Sequence, residues 1–142
     1  MKKLFILMIS FGALFASCNK ENDEVLASKD VTYETEFEEI TGNSTLFIKG
    51  EYTDKDGKTV KIDEPLPFKL TLKDVPANLK CKFKGYIFSI KANEIKGVVR
   101  MSTSNSKQNL YRGRKQINIS TDASLGFTSE ELKAKTNFDF SE

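Results

Sequence analysis

The side chains best suited to chemistry in this sequence are basic, and they concentrate in its second half. Lys80, Lys82 and Lys84 alternate along the stretch "LKCKFKG", where a strand would set them about 6.6 Å apart on one face. The stretch "YRGRK" contributes four more candidates: Tyr111, Arg112, Arg114 and Lys115. Arginine forks bind phosphate, sulfate or carboxylate groups, and a neighbouring aromatic ring offers a stacking surface. These seven residues predict a site for lipid head groups, acidic glycans or an acidic protein partner.

Both stretches also have a purely structural interpretation, and the sequence leaves the two open. Lysines on an exposed strand keep other strands from pairing with it, so the row at residues 80–84 would serve solubility and edge protection. The "YRGRK" stretch ends a polar segment, "STSNSKQNLYRGRK", which we expect to be a long loop. Long loops often carry binding residues, but they also serve as ordinary connections.

Groups for catalysis are few in this chain. It has no histidine, which removes the commonest general base and metal ligand. It also lacks a Gly-x-Ser-x-Gly elbow, a Walker loop and a dinucleotide fingerprint. The neighbouring carboxylates at residues 38–39 and 63–64 do not converge, because adjacent residues of a strand point to opposite faces. The sequence therefore predicts a protein that is not an enzyme and needs no cofactor, with glycan hydrolysis as a remote alternative.

The segment "DKDG" at residues 54–57 has the composition of the start of a calcium loop. An EF-hand needs a further oxygen ligand before its glycine, a glutamate near the twelfth position and flanking helices. Here the segment lies between two strand-like stretches, and Asp-Gly is a strong hairpin signal. We therefore predict a turn at this position and no metal site in the chain.

The N-terminus carries a different kind of chemistry. Lys2 and Lys3 precede thirteen uncharged residues, 4–16, which as a helix would span about 20 Å against a hydrocarbon core of about 30 Å. The run is too short to cross a bilayer and suits the apolar region of a signal peptide. The sequence "FASC" at residues 15–18 resembles the bacterial lipobox, in which the cysteine is lipidated and the peptide before it is removed. That resemblance implies a signal peptide at residues 1–17 and attachment to the membrane through lipid on Cys18.

The residues that follow Cys18 bear on location. The stretch "CNKENDE" resembles the acidic export signal of surface lipoproteins in Bacteroidetes-type bacteria. This resemblance implies a lipid-anchored protein of the outer membrane, on the cell surface or the periplasmic face. Residues 18–30 are polar, lack aromatic side chains and show no sustained periodicity, so we predict a flexible tether between the lipid and the domain.

The charge distribution excludes one class of partner. The signal peptide contains two of the 22 basic residues, so the remaining chain has 20 basic and 20 acidic side chains. A uniformly basic nucleic-acid-binding protein is therefore not expected. The balance hides a division along the sequence. Residues 18–64 have 13 acidic and 6 basic side chains, residues 65–115 have 2 and 12, and residues 116–142 have 5 and 2.

The two cysteines predict no disulfide. With Cys18 lipidated, Cys81 has no partner. Cys81 alternates with lysines, so we expect it to point inward as a small apolar side chain. No histidine is present to activate its thiol. Stability must then come from a hydrophobic core, for which about 110 residues are sufficient.

From Val31 onward, apolar residues recur with a period of two in seven to nine short stretches separated by turn residues. At Gly85 the alternation shifts by one residue, which predicts a bulge. The stretch "TSEELKAKT" is helical, with Thr128 and Glu131 at capping-box spacing, and "NFDF" after it predicts an edge strand. The pattern indicates one all-β domain at residues 31–142: an antiparallel sandwich or a small β-barrel with one short C-terminal helix.

A second resemblance covers about thirty residues, from "ITGNSTLFIKGEY" to "LPFKLTL". This segment is similar to the small MmpS-like lipoproteins, which share a strand ending in Tyr, an Asp/Asn-x-x-Gly turn and a later Leu-Pro-Trp. Tyr52, the turn at residues 54–57 and the sequence at 66–68 occupy those places, with Phe68 in place of tryptophan and without the family's paired cysteines. The resemblance implies an immunoglobulin-like β-sandwich and a role as a transport accessory protein.

Two functions from different classes follow from these observations. The first is a lipid-anchored, non-catalytic binding module for an envelope partner or an extracellular ligand. The second, which the MmpS-like resemblance implies, is an accessory subunit of a membrane transporter or secretion system. Both place the protein at the cell envelope and attach it to the membrane through Cys18.

Overall fold

The structure, a computed structural model, describes residues 27–39, 45–89, 92–122 and 125–142. The predicted signal peptide, the predicted lipidation site Cys18 and residues 18–26 of the predicted tether lie outside these ranges. Within them the chain forms eight strands and one helix: β1 Ser28–Glu39, β2 Leu46–Thr53, β3 Thr59–Pro65, β4 Phe68–Pro76, β5 Lys82–Ser89, β6 Glu94–Ser104, β7 Asn109–Ser120, α1 Ser129–Thr136 and β8 Phe138–Ser141. Because β1 begins at Ser28, residues 28–30 belong to a sheet and not to the tether.

All neighbouring strands run antiparallel, and they form two four-stranded sheets. Sheet 1 has the strand order β4-β1-β6-β7, and sheet 2 has the order β3-β2-β5-β8. The direction reverses at each successive strand of the chain. The prediction of an all-β, antiparallel sandwich with one short helix is therefore confirmed for the described residues.

The period-two pattern of the sequence explains the core, because alternate residues of each strand face the opposite sheet. Val31 and Tyr33 of β1 and Ile48 of β2 are fully buried, on the faces that the sequence predicts. Aromatic rings fill the centre. The ring centroid of Phe83 lies 5.1 Å from that of Tyr33 and 4.8 Å from that of Phe138. Each such ring pair stabilises the fold by about 0.5–1.5 kcal/mol beyond the contribution of buried area. The packed core thus stabilises the strands that carry the surface residues.

The predicted bulge at Gly85 is wrong. Strands β2 and β5 pair without a register shift, and Gly85 lies opposite Gly50. A Cβ on Gly50 would lie 2.2 Å from a backbone carbonyl oxygen of β5, so the glycines allow the two strands to approach closely. Ile87 faces the core, whereas Tyr86 and Phe88 are half-buried on the outer face of sheet 2. Because these two outer residues are apolar, the alternation of apolar residues in the sequence shifts at Gly85 although the pairing of the strands does not.

The predicted long loop at "STSNSKQNLYRGRK" is also wrong. Strands β6 and β7 form a hairpin whose turn comprises residues 105–108, and β7 includes the whole of "YRGRK". Asn105 starts this turn: its Oδ1 accepts hydrogen bonds from the backbone N–H groups of residues 107 and 108, at 2.9 and 3.1 Å. The pairing shifts opposite Met101 and Ser102, which leaves Arg112 as the extra residue of a bulge.

The predicted turn at "DKDG" and the predicted helix are confirmed. Gly57 has a φ of 81°, a conformation that favours glycine, and closes the turn between β2 and β3. At the start of α1, Thr128 accepts a hydrogen bond from the N–H of Glu131, whose carboxylate accepts from the N–H of Thr128 at 3.0 Å. At its end, Thr136 Oγ1 accepts from the N–H of Ile87 at 2.9 Å. The helix thus covers the part of the β5 edge that the edge strand β8 leaves open.

Candidate functional site

The lysine row predicted on one strand is only partly present. Strand β5 begins at Lys82, so Lys80 lies before the strand and not in line with the other two residues. Lys84 lies on the outer face of sheet 2 and pairs with Glu51 at 2.9 Å. The hydrogen bond and charge of Glu51 raise the pKa of Lys84. Lys80 and Lys82 are exposed, which leaves them as the better candidates for external contacts.

Strand geometry divides the four candidates in "YRGRK" instead of joining them. Tyr111 and Arg114 lie on the outer face of sheet 1, where the Tyr111 side chain is 72% exposed. Lys115 faces the other way and donates to the carbonyl oxygen of Asn137, next to β8, at 2.6 Å. Arg112, at the bulge, is engaged in an ion network described below. These four side chains do not converge on one anion.

The basic charge of residues 65–115 is partly neutralised by the acidic first strand, because β1 lies between β4 and β6. Glu34 pairs with Lys69 at 2.8 Å and with Arg100 at 3.2 Å. Arg100 also pairs with Glu36 at 2.5 Å. The hydrogen bond from Lys69 is the main influence that lowers the pKa of Glu34, and the Arg100 charge adds to it. Acidic and basic segments that are separate in the sequence are thus neighbours in sheet 1, and their side chains form ion pairs on its outer face.

The alternating strand directions gather the connections of the domain at two opposite ends. We call the end where β1 begins the entry end: it consists of residues 27–30, the turns at 54–58 and 105–108, the segment 77–82 and Glu142. The far end consists of residues 65–67, 92–94, 121–122 and 125–131. At the entry end, the N–H of Ala77 donates to the carbonyl oxygen of Ala27 at 2.8 Å.

Five exposed lysines lie at the entry end: Lys55, Lys58, Lys80, Lys82 and Lys107. Within the described part of the chain, none of their ammonium groups forms an ion pair. Lys55 and Lys80 line one groove of about 480 Å³, and Lys107 lines another of about 430 Å³ beside residues 27–30. Of these five, the sequence predicts only Lys80 and Lys82 as site residues.

Most acidic groups of the entry end have partners within the domain. Asp54 accepts hydrogen bonds from two backbone N–H groups of its turn, at 2.8 and 2.9 Å. Asp30 pairs with Lys73, and the hydrogen bond from Lys73 lowers the pKa of Asp30. Asp56 and Asp74 are exposed. The five lysines therefore leave an excess of positive charge around the chain entry.

Beneath these lysines lies a nearly buried ion network centred on Glu142. Its carboxylate pairs with Lys29 at 2.5 Å and with Arg112 at 3.2 Å, and the Lys29 and Glu142 side chains are each only 10% exposed. The N–H of Cys81 donates to the same carboxylate at 3.2 Å, and Arg112 Nε also donates to Thr103 Oγ1 at 2.9 Å. Arg112, a candidate anion-binding residue in the sequence, thus already has a carboxylate of its own chain as partner.

The thiol of Cys81 has no features of a nucleophile. The side chain is fully buried, as the sequence predicts, and forms no disulfide. Burial raises the pKa of the Cys81 thiol, which keeps it protonated and unreactive. Burial likewise raises the pKa of Tyr33, whose hydroxyl donates to the carbonyl oxygen of Thr53 at 2.8 Å. Both side chains are part of the hydrophobic core.

A cleft of about 670 Å³ on sheet 1 contains two carboxylates on one strand, Glu36 and Glu38, beside Lys96 and Arg114. Spacing by two residues places both carboxylates on one face of β1. A glycosidase also needs an acid whose proton is retained by apolar surroundings. Glu36 is 61% exposed and is paired with a guanidinium, so its surroundings are water and positive charge. The cleft suits electrostatic contact with a polar ligand better than acid catalysis.

Neither a metal centre nor a membrane span is found in the described ranges. They hold no group of three or more His, Cys, Asp or Glu side chains positioned around a metal ion. No helix in this part of the chain has the length and apolar character needed to cross a bilayer. In comparisons with known proteins, no family model, curated protein or solved structure matches the chain. Function must therefore be argued from the N-terminal sequence signal and from the surface of the domain.

Proposed function

We propose that the protein is a lipid-anchored lipoprotein of a bacterial outer membrane and acts as a non-catalytic binding module for an envelope partner or an extracellular ligand. The observation that carries the proposal is the sequence "FASC" after thirteen uncharged residues and two lysines. In this proposal the lipid on Cys18 is joined to the domain by the residues between Cys18 and Ser28. Several acyl chains on one residue are sufficient for stable membrane attachment.

The chemistry of the domain supports binding over catalysis. Its free thiol is buried, the Glu36 carboxylate of the sheet 1 cleft is exposed and paired with Arg100, and its surface charges are mostly in ion pairs or in the lysine group of the entry end. Such a surface recognises a partner through charge and shape. The partner class that we propose is a protein, an acidic glycan or a lipid head group at the cell envelope.

The anchor is tested by replacing each cysteine in turn. Cys18→Ala should move the protein from the membrane fraction to the soluble fraction, because the lipid can no longer be attached. Cys81→Ala is the matched control and should leave the protein in the membrane fraction, because Cys81 is buried in the domain. Mass spectrometry of the native protein should find an acylated cysteine as the first residue. An unchanged distribution of the Cys18→Ala protein would contradict the proposal.

The second candidate function is an accessory subunit of a membrane transporter or secretion system. The outer face of sheet 2 favours it, because Phe47 and Phe88 are direct cross-strand neighbours and only half-buried there. Crosslinking in intact cells distinguishes the two functions. An accessory subunit should give a transporter or secretion-system protein in constant ratio, whereas a binding module should give an envelope protein of another class, or no protein if its ligand is external. Protease treatment of intact cells then separates the cell surface from the periplasmic face.

A further inference from the structure

The entry end combines two features that point to the same surface. It contains the first described residue, Ala27, and so receives the chain that comes from Cys18. It also holds the five lysines without acidic partners in the described ranges. Lys107 lines the groove that contains Ala27, and Lys55 and Lys80 line a second groove of the same end. The far end has the opposite charge, because five exposed acidic residues lie in or next to its connections: Glu38, Glu64, Asp122, Glu130 and Glu131.

Distance limits what the five lysines can meet. Eight residues, 19–26, separate Cys18 from Ala27, and the nine residue steps of an extended chain reach about 30 Å. The entry end must therefore stay within about 30 Å of a membrane that holds a lipid on Cys18. Strand β1 has 12 residues and spans about 40 Å, so the far end lies that much further along the strand. The entry end is the part of the domain closest to the anchor.

The charge of the entry end fits that of lipid head groups. Bacterial membranes expose phosphate groups, and each lysine close to an anionic surface strengthens binding several-fold. The predicted tether does not supply this charge, because its first residues contain Lys20 against Glu21, Asp23 and Glu24. The positive charge near the membrane has to come from the domain. Screening limits the attraction to about 8–10 Å, so it acts only when the entry end faces the surface.

We propose that the entry end docks on the anionic lipid head groups of the membrane through Lys55, Lys58, Lys80, Lys82 and Lys107, and so orients the domain with its acidic far end away from the membrane. This inference rests on the proposed function, in which Cys18 holds the lipid. Because the acyl chains are sufficient for attachment, the lysines set the orientation and height of the domain, not its retention. The ligand chemistry is the phosphate of a lipid head group.

The test uses the chain from Cys18 to Glu142 and vesicles of defined composition. In one variant, each lysine of the entry end is replaced by glutamine: K55Q, K58Q, K80Q, K82Q and K107Q. The matched control has the same change at five exposed lysines elsewhere: K61Q, K84Q, K96Q, K133Q and K135Q. Both variants lose five positive charges, so any difference between them reports position and not net charge. Equal unfolding midpoints in urea would show that both variants are folded.

Binding of the chain without lipid is measured first, by co-sedimentation with vesicles of phosphatidylcholine with and without 30% phosphatidylglycerol. We expect binding to the anionic vesicles only, weakened by salt, and reduced at least tenfold by the entry-end replacements. The control replacements should reduce it much less. An equal reduction in both variants would overturn the proposal. Binding to an acidic polysaccharide but not to anionic vesicles would also overturn it and would assign the lysines to a glycan.

Orientation is measured next, on chains coupled at Cys18 to a maleimide lipid. The coupling is selective because Cys81 is fully buried. With a paramagnetic lipid in the bilayer, amide signals of the turns at 54–58 and 105–108 should broaden, and those of residues 125–131 should not. Uniform broadening would overturn the proposal. The result of the Cys18→Ala fractionation does not depend on these measurements. Failure of the proposed anchor and failure of the proposed docking surface are therefore distinguishable.

Discussion

The two ends of the domain are built from the same kind of element, connections between antiparallel strands, yet they differ in charge and in how they are held. The entry end has exposed lysines, which form no ion pair with any residue that the structure describes, above a nearly buried ion network. The far end has exposed acidic side chains, and its helix is fixed by the capping box of Thr128 and Glu131. Because the strand direction alternates, every second connection of the chain lies at the same end of the domain. The basic connections therefore collect at one end and the acidic connections at the other.

The ends should also differ in what their charges contribute to stability. At the entry end, the Lys29 and Glu142 side chains are nearly buried. Removing either one leaves the other as a buried charge without a partner, which lowers the free energy of unfolding. At the far end, the charges remain in water and contribute little.

Glu142→Gln should cause the largest loss of stability. The change leaves Lys29 nearly buried without its carboxylate and removes the ionic partner of Arg112. We expect the free energy of unfolding, measured in urea, to fall by about 3 kcal/mol. Asp63→Asn is the control, because it breaks the ion pair of Lys49 with a side chain that is 64% exposed. That change should cost about 0–1 kcal/mol, and equal losses would contradict the contrast between the two settings.

Thr128→Ala should have a smaller effect, at the far end. It removes the side-chain oxygen that accepts from the N–H of Glu131 and so leaves the start of α1 uncapped. We expect a loss of about 1 kcal/mol in the free energy of unfolding. Ser129→Ala, at the next position, serves as the control because Ser129 is exposed and is not the cap residue. A loss as large as that from Glu142→Gln would mean that the far end is held as firmly as the entry end.

Acidification should have the smallest and most local effect. The hydrogen bonds from Thr128 lower the pKa of Glu131 below its ordinary value of 4.5. A lowered pKa means that the stabilisation is complete above the ordinary value and is lost as the pH falls through the lowered one. We therefore expect the protection factors of the α1 amides, relative to those of β1, to be lower at pH 3 than at pH 6. In the Glu131→Gln protein this difference should shrink, because residue 131 no longer titrates.

The parts of the fold that local chemistry determines were predictable. The capping box of α1 and the turn at "DKDG" follow from residues next to one another in the chain, and alternation identified most of the strands. The failures have tertiary causes. The sequence predicts a bulge at Gly85 that is absent, because the half-buried aromatic residues on the outer face of sheet 2 look like core residues in the sequence. The "YRGRK" stretch has the polar composition of a loop because β7 is an edge strand with a solvent-facing side.

The candidate site was harder to predict than the fold. Whether a basic side chain is free depends on which strand lies beside it, and Lys69 and Arg100 met their acidic partners only through the pairing of β1 with β4 and β6. Lys55, Lys58 and Lys107 were missed because single lysines in turns carry no motif. A signal was nonetheless present. In an antiparallel sandwich alternate turns share one end, so assigning turns to ends would have grouped these lysines with Lys80 and Lys82.

The position of β1 has a mechanical consequence. This strand continues directly from the chain that leads to Cys18, and it lies inside sheet 1 with β4 on one side and β6 on the other. A force applied between Cys18 and the far end of the domain would enter the domain through β1, along its length. The backbone hydrogen bonds on both of its edges would then share the load and would have to shear together, whereas a strand at the rim of the sheet would have the bonds of one edge alone.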